Sequence, residues 1–137
     1  MSDLNVQNLN SKTGNSAISI ADDGTVSLST AASGSTQTAN ATGSTTLDFS
    51  TYQNFVLTLT GNVTLANPTT ESVGQSGFIV MVQDGTGGRT VSLGTDYETA
   101  GAGGLTLSTA ASTTDIVPYV VAASGRVLLG APQLAFA

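Results

Sequence analysis

Cysteine, histidine and tryptophan are all missing from this chain. Without cysteine there is no disulfide, no thiolate nucleophile and no sulfur ligand. Without histidine the commonest acid–base group is gone, and no serine has an imidazole to activate it. The cations number three, Lys12, Arg89 and Arg126, against nine acidic residues, for a net charge of −6. Nucleic-acid binding rests on cations that neutralise phosphates, so no DNA or RNA partner is expected. An anionic membrane surface is disfavoured for the same reason. The longest apolar run, 116–123, is broken by Pro118 and falls far short of a membrane span. Met1-Ser2-Asp3-Leu4-Asn5 lacks the basic and apolar regions of a signal peptide, which predicts a soluble product made in the cytoplasm.

Charge is scarce overall. Only 9% of the 137 residues are charged and 5% are aromatic, while 39% are hydrophobic. A usual soluble domain carries roughly 25% charge, and here serine and threonine fill the gap. Threonine and valine favour pleated, half-buried surfaces, so the composition predicts β structure. A surface of Thr, Ser, Ala and Gly suits close contact with other subunits better than life as a lone monomer. The length allows one ordinary domain with a short arm or linker.

The stretch 74–94 reads as the centre of the core. Phe78-Ile79-Val80-Met81-Val82-Gln83 is β-prone, a loop of Asp, Thr and three Gly follows, and Arg89-Thr90-Val91-Ser92-Leu93 is β-prone again. That pattern predicts a hairpin. Phe78, Val80 and Val82 fall on one face and Ile79 and Met81 on the other. Such a strand is expected to be buried on both sides, between two layers or at a subunit interface.

The remaining chain divides at residue 45. Residues 1–15 carry Leu4, Val6 and Leu9 too sparsely for a core strand or a helix, and read either as an extended arm that docks on something else or as a frayed terminus. Residues 17–29 predict a small hairpin, with Ile18 and Ile20, the turn Asp22-Asp23-Gly24, then Val26 and Leu28. Residues 30–44 hold nothing large and read as a linker or a long surface loop, giving an arm, hairpin and linker over 1–44 and a domain over 45–137. About seven strands are expected there: 45–49, 55–60, 63–65, the two of the central hairpin, 105–107, 115–123 and 126–130 count among the candidate segments. Pro118 marks a bulge or an edge. No segment keeps apolar spacing of three and four, so helix is not expected. The fold class is all-β, an antiparallel sandwich, jelly roll or open barrel.

Few residues could carry chemistry. Asp96 and Glu98 are two apart, which puts both on one face of an extended segment and supplies the carboxylate pair a glycosidase needs, but they sit in a glycine-bounded segment read as a surface loop. Asp84-Gly85-Thr86-Gly87-Gly88-Arg89 lacks the lysine and the following helix of a phosphate-binding loop, and reads as a hairpin tip. Asp22-Asp23-Gly24 lacks the spaced ligands of a calcium loop. No catalytic residue, cofactor or metal site is expected, and the chain is not read as an enzyme.

Leu47-Asp48-Phe49, the run 55–65, Asn67-Pro68, 77–82 and 83–91 together resemble a β domain of tailed-bacteriophage virion proteins. Leu105-Thr106-Leu107-Ser108-Thr109 and Asp115-Ile116-Val117 fit the same pattern, and 1–28 resembles the N-terminal segments of such proteins. The domain occurs in tail fibres and in small head decoration (cement) proteins, many from phages of cyanobacteria and marine bacteria. Ser92-Leu93-Gly94 and Leu128-Leu129 depart from it, standing where relatives often carry Trp, Pro or Tyr. The resemblance implies a structural virion protein. Its first form is a capsid decoration protein on the head surface, a homotrimer whose arm, with Leu4, Val6 and Leu9, docks on the major capsid protein. Phe78, Ile79, Val80, Met81 and Val82 would then form core and oligomer interface. Its second form is a tail-fibre or spike component that binds the host cell surface.

Overall fold

The computed structural model describes residues 8–10, 16–28 and 31–137. They fall into two compact units, Met1–Ser33 and Gly34–Ala137. The second unit therefore begins eleven residues before Thr45, where the sequence places the start of the domain.

The first unit is a three-stranded antiparallel sheet of β1 (Asn8–Asn10), β2 (Ser16–Ile20) and β3 (Val26–Leu28). The expected hairpin is present, with Ile18 opposite Leu28 and Ile20 opposite Val26. Its turn is a five-residue loop in which Gly24 adopts φ +83° and Asp23 Oδ1 accepts from Thr25 N at 2.9 Å. Part of the expected free arm is folded: Leu9 lies in β1, paired with Ile18 across the backbone.

The second unit is all-β, as expected, and its strands form one large sheet. Its strands are β4 (Thr36–Thr45), β5 (Asn54–Leu65), β6 (Ser76–Gln83), β7 (Val91–Leu93), β8 (Tyr97–Thr99), β9 (Thr114–Ala123), β10 (Arg126–Leu129) and β11 (Gln133–Phe136). The order across the sheet is β4-β5-β6-β9-β10-β8, with β7 on β5 and β11 on β9. Pairing is mixed. β4–β5, β5–β6, β5–β7 and β8–β10 run parallel, and β6–β9, β9–β10 and β9–β11 run antiparallel.

Parallel neighbours normally need a long crossover, usually a helix. Here the crossovers 46–53 and 66–75 are short and irregular, and they return across the inner face of the sheet. That is why Leu47 and Phe49 are buried although neither is in a strand, contrary to the strand expected over 45–49. Residues 105–107, also expected as a strand, form an irregular segment whose Leu105 and Leu107 pack against the same core. The result is sandwich-like: a sheet on one side and return segments on the other.

Inner-face residues follow the period of two. Ala39, Leu57, Met81 and Asp115 form one row across four strands, and Ala41, Leu59 and Gln83 form the next. Small side chains on β4 leave room for leucines on β5. Phe49, Phe55 and Tyr119 make an aromatic cluster, with Phe49 5.0 Å from Phe55 and edge-on to Tyr119 at 5.3 Å. Such pairs add to the area they bury. The Tyr119 hydroxyl donates to Gln53 O at 2.6 Å, which ties β9 to the first crossover.

Four expectations are corrected by this topology. Residues 36–44 are neither linker nor surface loop, because β4 forms there and pairs along nearly the whole of β5; alanines and threonines suffice for a strand beside the large side chains of Phe55, Leu57 and Leu59. The expected turn at Gly61-Asn62 is absent, and β5 runs on through it with a register shift against β4. Pro118 is on no edge: it lies in β9 between β6 and the β10/β11 side, where partners change from β10 to β11 and its missing N–H is not needed. Gly130 passes directly over it, accepting no Cβ because one would sit 2.7 Å from Pro118 Cγ.

The fourth is the central hairpin, which does not form. β6 pairs with Phe55–Leu59 and β7 with Val63–Leu65, both parallel to β5 and on the same edge of it. They are two halves of one strand path, separated by an excursion over 84–90 where β5 uses only 60–62.

Candidate functional site

The excursion is the most tightly organised loop of the unit. Asp84 Oδ1 accepts from the backbone N–H groups of Thr86 at 3.0 Å and Gly87 at 2.9 Å. Its other oxygen accepts from Arg89 Nε at 3.1 Å and Nη2 at 2.8 Å. The Arg89 guanidinium, with these amides, holds the Asp84 carboxyl below its usual range. Gly87, at φ +73°, lies against 109–111, where a Cβ would meet Thr109 O at 2.6 Å. The Asp84 carboxylate and the Arg89 guanidinium are thus engaged with each other and with the backbone of their own loop, and the arrangement shapes the chain.

The two carboxylates considered for catalysis are also spoken for. Glu98 pairs with Arg126 at 2.9 and 3.0 Å, which lowers the carboxyl and raises the guanidinium. Asp96 lies in the turn before β8, accepting from the Thr95 hydroxyl at 3.3 Å. Buried Asp115 accepts from Ser108 N at 2.6 Å, Ser108 Oγ at 2.7 Å and Ala135 N at 2.9 Å. Among the described residues no group of three or more His, Cys, Asp or Glu is placed to hold a metal. An open cleft of about 880 Å³ runs over β7, β8 and the glycine-bearing turn after them, lined by Leu93, Tyr97, Thr99 and Leu105 among others.

The predicted interface residues separate into two sets. Ile79 and Met81 are buried in the core. Phe78, Val80 and Val82 point to the opposite face, where Phe78 is 52% exposed. β6 is thus apolar on both faces and, within one chain, fully covered on one, so it does not lie between two layers of its own chain. Leu4 and Val6 lie outside the described residues. Leu9 is placed only by its backbone, in β1.

Strand register extends the outer face well beyond β6. Thr38, Val56, Val80, Ile116 and Gln133 form one row across five strands, and Phe78 stands beside Pro118. Val120 stands beside Leu128 in the direction of β10. The centre of this face is aliphatic and aromatic. Its margins are Thr36, Thr38 and Asn40 on β4, and the Glu98–Arg126 pair at β8 and β10. The sequence reading did not place Ile116, Pro118 and Val120 together on an outer face, although their alternation with Asp115, Val117, Tyr119 and Val121 was the available signal.

No curated protein matches this chain, and no solved structure does. A family model described as "Putative phage tail fibre C-terminal domain" matches residues 6–126. That span covers most of both units, and the chain belongs to this family, which makes it a structural component of a phage virion.

Proposed function

We propose that the chain is a non-catalytic building module of a phage tail fibre, working as a homotrimer at the part of the fibre that meets the host cell surface. The family match over 6–126 is the observation that carries this reading. The chemistry of the unit agrees with it: the charged groups described above are engaged in loop closure or ion pairs, and the large uncovered surface is apolar. Its partners are other copies of itself and adjoining virion proteins.

Head decoration, with residues 1–15 docked on the major capsid protein, is the other placement of such a domain. The family description favours the fibre. Immunogold electron microscopy of intact particles, with antibody raised against 34–137, tests the choice. Label at the tail fibres is expected. Label spread over the head would overturn the fibre assignment in favour of decoration, and no label on the particle would overturn both.

A further inference from the structure

We infer that the outer face of the β5-β6-β9 sheet, centred on Phe78, Val80 and Ile116, is a self-association surface whose occupant is a second copy of this chain. The inference deepens the assembly reading above and rests on it only for copy number.

Three observations carry it. The first is the two-faced pattern of β6. Its inner residues Ile79 and Met81 fill the core, yet Phe78, Val80 and Val82 are just as apolar and face outward. A sheet with one face in water normally alternates apolar and polar. The same departure occurs in β9, where Ile116, Pro118 and Val120 face outward in register with β6. Two neighbouring strands sharing this departure produce one continuous patch.

The second is size. With strands about 4.8 Å apart and a rise of about 3.3 Å per residue, seven residues on each of β5, β6 and β9 with the four of β10 cover about 400 Å² of sheet. That is already within the roughly 300–600 Å² of the largest patch on a typical monomer, before side-chain relief is counted. Adding seven residues of the polar margin on β4 and the three of β8 brings the face to about 550 Å² before side-chain relief, against the roughly 800 Å² per partner of a standard interface.

The third is charge. The row Thr38, Val56, Val80, Ile116 and Gln133 runs from polar through apolar to polar without a single charge. At the other margin Glu98 and Arg126 neutralise each other. An apolar centre inside an uncharged or neutralised rim has the anatomy of an interface. In a chain of net charge −6, a patch free of acid is also where two identical copies can meet without repulsion. A cationic or anionic partner would find nothing on it to pair with.

The test uses the full chain in solution. Sedimentation equilibrium at micromolar concentration is expected to show an oligomer. Val80→Glu should shift it to monomer, weakening association by at least 100-fold, with unchanged far-ultraviolet circular dichroism. Thr38→Glu, at the margin, should weaken it by less than tenfold. A parent chain that is monomeric, or a Val80→Glu variant that remains fully associated, would overturn the inference. Because the chain has no cysteine, a second measurement does not depend on that variant folding. Phe78→Cys should react with a maleimide at least tenfold more slowly than Thr38→Cys in the assembled protein. Equal rates would count against burial of this face. These outcomes are independent of where on the particle the protein sits.

Discussion

The Gln83 side chain pairs with the backbone of Arg89 as though it were the next residue of a strand. Its Oε1 accepts from Arg89 N at 2.9 Å, and its Nε2 donates to Arg89 O at 2.9 Å and to Ser108 O at 2.9 Å. β6 ends at Gln83 and the strand path resumes at Val91, so this amide closes the base of the excursion between them. One side chain satisfies three backbone groups from two segments. Asp84 then fixes the shape of the loop above it.

Gln83→Leu is expected to destabilise the protein by about 2–4 kcal/mol, because buried backbone groups lose their partners while the volume is kept. Urea unfolding monitored by circular dichroism measures this. A loss under about 0.5 kcal/mol would mean that water replaces the amide without cost.

Phe49 tests whether a crossover segment really forms the second layer. It is buried against Phe55 and Tyr119 although it belongs to no strand. Phe49→Ala is expected to cost about 3–5 kcal/mol, the range for a core aromatic. A surface-loop phenylalanine would cost far less, and thermal denaturation distinguishes the two.

Asp115 joins the segment 103–109 and β11 to β9 through Ser108 and Ala135. Asp115→Ala is expected to cost about 2–4 kcal/mol, since three hydrogen bonds to a buried carboxyl group are removed and their donors are left without a partner. Hydrogen exchange should quicken first at the amides of Ser108 and Ala135. Uniform quickening across β5 and β6 instead would show that Asp115 supports the whole core.

Tyr97 carries a buried hydroxyl with no partner among the described residues, and one oxygen of Glu71 is in the same position. Burial, assisted by the charges of Glu71 and Asp96, pushes the phenol well above its ordinary value. A phenol raised in the folded state adds stability that is complete below its unfolded pKa of about 10 and is lost as pH climbs through the folded one. The parent is therefore expected to lose stability above pH 10, and Tyr97→Phe to lose less over the same range. At neutral pH the variant should match or exceed the parent by up to about 1 kcal/mol, because an unsatisfied polar group is removed. Melting temperatures across an alkaline pH series provide the check.

The chain order of hydrophobic and polar residues by itself determined the local alternation. Phe55, Leu57, Leu59, Val63 and Leu65 are buried where their period of two places them, β9 and β10 form a hairpin around Ser124-Gly125, and β2 and β3 pair around Gly24. It also limited the chemistry, through the residue types that are missing. Partner choice was decided only by the tertiary structure. A parallel strand leaves no turn signature in sequence, so β4 looked like linker, and β6 and β7 looked like the arms of a hairpin. The second layer was hidden for a related reason: Leu47, Phe49, Leu105 and Leu107 are apolar at strand-like spacing, yet they lie in return segments whose path depends on where the next parallel strand must begin. The outer face shows the same limit most plainly. Sequence states that Phe78, Val80 and Val82 are apolar, but a residue's face is assigned only when its neighbours are in place, and within one chain Phe78 stays exposed while Val80 and Val82 are half-buried.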